Sequence, residues 1–92
     1  MERMDQASRH MSNARRHLIV AHRSGDAHRL ALDEVRLALV ALGPGPLDSA
    51  DALAWVRRLR AAVDGESIDA GLFMDTVDEL ASYLFSRDLA TA

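Results

Sequence analysis

Ninety-two residues, about half of them hydrophobic but only 4% aromatic, suffice for one small domain whose core must be built from Leu, Val, Ala and Met. The absence of cysteine excludes disulfides and thiolate chemistry, and no apolar run approaches the roughly 18 residues of a membrane span. With no signal-peptide pattern at the start, a cytoplasmic location is the expectation.

The net charge of −3 argues against a general nucleic-acid binder. It conceals an asymmetry, with six Arg against three acids in residues 1–29 and seven acids against Arg87 in residues 64–92. Every cation is Arg and none is Lys, which together with the abundant Ala, Leu, Val and Asp suggests a GC-rich bacterial genome.

In chain order, Met4, Ala7, Met11, Ala14, Leu18 and Ala21 recur at alternating spacings of three and four, predicting a helix from about Met4 to His22 with one apolar seam. The seam is weak core material, so it also serves as a candidate surface for pairing two copies of the chain. Gly25 in the "RSGD" stretch supplies a turn. A second helix, about Ala27 to Leu42, carries Leu32, Val35, Leu39 and Leu42 on one stripe and Leu30, Leu37 and Ala41 beside it. So wide an apolar surface predicts neighbours on more than one side.

Gly43 falls where a C-terminal glycine belongs, and Pro44 cannot continue the helix. Asp48 then reads as an N-cap, strengthened by Asp51 three residues on. The third helix runs to about Val63, with Ala52, Val56, Leu59 and Val63 inward and Arg57, Arg58 and Arg60 outside. Asp64-Gly65 closes it. In the last segment, Thr76-Val77-Asp78-Glu79 matches a capping box ahead of the apolar positions Val77, Leu80, Ala81, Leu84 and Phe85. The expectation is a short helical turn around Asp69 to Phe73, a break near Asp75 and a final helix to about Arg87. No strand pattern competes, so the chain reads as all-α.

Four histidines invite a metal reading, but they point in different directions and no converging ligand set emerges. Arg57, Arg58 and Arg60, with Trp55 nearby, suit a phosphate backbone, a partner protein or water alone, and a solvated helix face is the preferred reading because the connection before them is longer than a helix-turn-helix turn. Ser49 is the other candidate. It opens a helix beside an Asp cap, where backbone N–H groups and the positive end of the helix dipole favour an anionic group. It lacks a neighbouring base and the Gly-x-Ser-x-Gly elbow, so it reads as a modification acceptor and not a hydrolytic nucleophile.

"LDSADALAWVRRLRAAVDGESIDAGLFMDTVDELASYL" resembles the C-terminal two-thirds of an acyl or peptidyl carrier protein, and "LDEVRLALVALG" is similar to that family's first helix. The shared features are the Asp48-Ser49 pair opening a recognition helix, the apolar spacing of Leu53, Val56 and Leu59, and Thr76-Val77 starting the last helix. The resemblance covers about Leu32 to Leu84. It implies one domain over residues 1–92: a small four-helix, carrier-like bundle at 27–88, an additional N-terminal helix at 1–25 and a short helical turn before the last helix.

By the same resemblance the chain is a freestanding, non-enzymatic carrier. Ser49 carries 4′-phosphopantetheine, whose thiol holds an acyl or aminoacyl cargo as a thioester, and Asp48 belongs to the attachment motif. Its partners are a phosphopantetheinyl transferase and acyl- or aminoacyl-loading enzymes, which meet Ala50, Leu53, Trp55, Val56, Arg57 and Arg60. The competing expectation is a small α-helical protein–protein interaction module, or a homodimer through the Met4–Ala21 helix, with no prosthetic group.

Overall fold

The computed structural model describes the backbone of residues 2–20, 25–43 and 49–91, and the side chains of residues 5–20, 28–43 and 49–87. Within them the chain forms four α-helices and no strand: α1 (Glu2–Val20), α2 (Gly25–Leu42), α3 (Ala50–Val63) and α4 (Ala70–Thr91). The helices form a ring in which α1 packs on α2, α2 on α3, α3 on α4 and α4 back on α1. α3 and α4 run antiparallel, Arg58 meeting Thr76 while the earlier Trp55 meets the later Tyr83. The closing pair is antiparallel too: Arg15 of α1 reaches Asp78 and Ser82, while Ser8 and Ser12 line a recess with Phe85 further along α4.

The α1 seam is spent inside this ring. Ala7, Met11 and Ala14 are fully buried and Leu18 nearly so, in one core with Ala31, Val35, Ala38 and Leu39 of α2 and Phe73, Val77, Leu80, Ala81 and Leu84 of α4. Six alanines in this core, two on each of α1 and α2 and one on each of α3 and α4, bring few side-chain atoms of their own, so close helix contact supplies the burial. The α1 helix is therefore part of the bundle that the other three helices form. Pairing of two copies through this helix would have to use a face other than the seam, whose Met4 and Ala21 ends lie outside the described side chains. One polar bond reinforces the α1–α2 contact, with His10 Nδ1 2.7 Å from Glu34 Oε2.

The helix ends follow local chemistry. Gly43 adopts φ 67° and its N–H donates to the Leu39 carbonyl at 3.1 Å, the single-bond left-handed ending that glycine permits. At the end of α3, Gly65 has φ 100°, with its N–H bonded to Ala62 O and the Glu66 N–H bonded to Ala61 O. That reciprocal pair is a Schellman ending. Gly25, expected in a turn, instead opens α2.

The last helix corrects the sequence expectation. α4 is continuous from Ala70 to Thr91, without a separate turn at 69–73 or a break near Asp75. Its start is set by Asp69, whose Oδ1 accepts from the Gly71 N–H at 3.1 Å and whose carbonyl accepts from Phe73 N. Thr76 lies seven residues later in mid-helix, 1% exposed. Its hydroxyl donates back to the Leu72 carbonyl at 2.7 Å and accepts from Arg58 Nη1 at 3.0 Å. A threonine four residues beyond a helical carbonyl can form this bond without ending the helix. Burial of Phe73, Thr76, Val77 and Leu80 on one face holds the helix through that point.

Candidate functional site

α3 presents the residues singled out in the sequence. Ser49 precedes it with φ −107° and ψ 131°, an extended conformation proper to an N-cap. Its Oγ accepts from the Ala52 N–H at 3.2 Å and its carbonyl accepts from Leu53 N at 3.1 Å. Ser49, not the expected Asp48, therefore caps the helix; Asp48 lies outside the described residues. The Ser49 side chain is half-buried rather than fully exposed. Because a hydroxyl offers one donor and two acceptor positions, the cap bond occupies only part of its capacity.

Helical periodicity divides the six expected partner-facing residues. Ala50, Leu53, Arg57 and Arg60 are exposed on the outer side of α3, with Leu53 42% exposed. Trp55 and Val56 are drawn inward and pack against the core. Trp55 meets the Tyr83 ring edge-on at 6.1 Å between centroids, which makes it a brace between α3 and α4. Those two residues do not share the outer face with the other four.

Beside that face lies an open groove of about 490 Å³, formed by α3, the 64–69 connection and the first turn of α4. Apolar lining comes from Ala54, Ala61, Ile68 and Leu72, with Arg57 and Glu66 supplying opposite charges. Leu72 is 43% exposed, so the groove offers hydrophobic surface to a partner. Arg58 also lines it, but its guanidinium is held by Thr76. The α4 side of this groove was not foreseen. Its one sequence signal is Ile68, an isolated apolar residue in the polar "DGESIDA" stretch.

No family model, curated protein or solved structure matches this chain.

Two of the described histidines meet side chains of another helix. His10 pairs with Glu34, and the His28 ring lies 4.7 Å from that of Phe73 at 49°. Among the described residues no group of three or more His, Cys, Asp or Glu is arranged to hold a metal ion. No described helix is long and apolar enough to cross a membrane.

Proposed function

We propose that this chain is a non-catalytic binding module whose partners read the outer face of α3. The observation that carries this reading is one solvent-facing strip. It begins beside the Ser49 hydroxyl, runs through Ala50, Leu53 and Arg57, and opens into the groove lined by Ala54, Ala61 and Leu72. A partner segment with apolar side chains and an acidic group opposite Arg57 complements that surface.

In its most specific form the proposal makes Ser49 the attachment point of 4′-phosphopantetheine and the chain an acyl or aminoacyl carrier. The support is the position of the Ser49 hydroxyl at a helix N-terminus, where a phosphodiester is electrostatically favoured, together with the resemblance of "LDSADAL" to a carrier attachment motif. Incubation with a broad-specificity phosphopantetheinyl transferase and coenzyme A tests it. Intact-mass spectrometry should show one added arm, absent from Ser49→Ala. No addition to the folded wild-type chain refutes the carrier form.

A second reading keeps the partner surface and dispenses with the arm. Two observations favour it. The Ser49 hydroxyl already works as a helix cap, and Thr76, the downstream half of the carrier-like pattern, lies buried in mid-helix. Under this reading a photo-crosslinker placed at Arg57 captures one discrete partner in cells, and Leu53→Asp removes that adduct while leaving the fold intact. Capture that survives Leu53→Asp counts against the α3 face.

A further inference from the structure

α2 carries more apolar surface than its own chain covers. Ala31, Val35, Ala38 and Leu39 point into the core. On the opposite side Leu30, Leu37 and Val40 are 42%, 49% and 74% exposed, and Asp33 completes their alternating three- and four-residue spacing. Arg36 flanks this stripe. Among the described residues neither Asp33 nor Arg36 takes part in an ion pair. An apolar stripe is thus left outside the bundle, with one acid within it and one base at its edge.

That arrangement is self-complementary. Two copies of α2 laid antiparallel about a two-fold axis at the level of Val35 place Leu30 level with the second copy's Val40. Leu37 comes level with its Asp33. The same register brings Arg36 one residue along the axis from the second copy's Asp33, and the symmetry supplies the pair twice. Opposite charges so placed fix the register, while the three apolar side chains supply the buried surface.

We propose that a second copy of this chain covers the outer face of α2, forming an isologous antiparallel dimer held by Leu30, Leu37 and Val40 and registered by Asp33–Arg36 pairs. This surface is separate from the α3 strip, and the proposal stands independently of the function assigned to it. With so few apolar side chains the association is weak, of micromolar to millimolar strength.

Sedimentation of the full chain from about 1 µM to about 1 mM tests it, the range over which such an equilibrium shifts from one chain to two. Val40→Asp and Leu37→Asp should each weaken association at least about tenfold while leaving helical circular dichroism unchanged, because both residues are exposed. Asp33→Arg should weaken it too, and Asp33→Arg combined with Arg36→Asp should restore it, since the pair is then present with its signs exchanged. A chain that stays monomeric to about 1 mM overturns the proposal. So does a dimer that persists in Val40→Asp, that is indifferent to Asp33→Arg, or that the double exchange fails to restore.

Discussion

Replacing Ser49 with alanine separates two roles that this residue can hold. The side-chain change deletes one acceptor, the Oγ that receives the Ala52 N–H at 3.2 Å. The backbone bond from Leu53 N to the Ser49 carbonyl remains. Loss of a serine N-cap costs about 0.5–2 kcal/mol, and a bond at the long end of the normal range belongs in the lower half, about 0.5–1 kcal/mol. For a domain of this size each kcal/mol lowers the melting temperature by roughly 4–8 °C, so Ser49→Ala should melt about 2–8 °C below the parent. Ser49→Asp supplies an acceptor at the same place and a charge favoured by the helix dipole, so it should melt at or above the parent.

Thermal unfolding followed at the helical circular dichroism band reads both variants. Neither can accept a phosphopantetheine arm, so the aspartate variant isolates attachment from stability in the transferase assay. If Ser49→Ala melts with the parent, or Ser49→Asp falls as far as alanine, the cap bond contributes nothing and the structural role given to Ser49 is wrong.

Thr76→Val keeps the shape of a buried side chain and removes its hydroxyl, so chemical denaturation should report a loss of about 0.5–1.5 kcal/mol, chiefly the bond from Arg58. Its helical content should be unchanged, whereas a true helix start at Thr76 would fray. Met11→Asp places an unpaired charge in a fully buried position and should unfold the isolated chain, seen as lost helical signal even at low concentration. Gly65→Ala meets no atom within 4 Å, so its cost is conformational alone, about 1 kcal/mol at φ 100° by differential denaturation.

Three of the four helices were legible from their apolar spacing, and for α2 and α3 the glycine endings agree with it. Gly43 and Gly65 mark two ends by sequence, and both take the positive φ that the endings require. The start of α4 was misread for a physical reason. Thr-x-x-Glu describes a cap only if the threonine hydroxyl turns toward the N–H groups ahead of it. Here it turns back to Leu72, and a sequence carries no record of that choice. The start at Asp69 was anticipated as a short helical turn; what the sequence did not show is that this turn runs on past Asp75 as one helix.

At α3 the outer strip was half legible. Leu53, Arg57 and Arg60 fall on the solvent side as their spacing with Ala50 requires. Trp55 was expected among the partner-facing residues by the carrier resemblance, yet its place around the helix turns it toward Tyr83. The groove escaped notice because it needs the 64–69 connection folded back beside α3, a contact between segments whose sequences show no common period. For α1, the small residues that made the seam look like poor core material are what let it sit close to α2.

The ring order of the helices also governs how the chain acquires its core during synthesis. α1 emerges before the other three helices, yet the α4 residues that share its core, Phe73, Val77, Leu80 and Leu84, are made after α2 and α3. The α1–α2 contact is local and closes at little entropic cost, but it leaves the flank of α1 next to α4 wet until α4 has been made. A ribosome-bound fragment ending before α4 therefore displays Met11 and Leu18 without the α4 side chains that share their core. Completion of the bundle waits on the synthesis of α4, and the uncovered α1 flank is an opportunity for sticking during that interval.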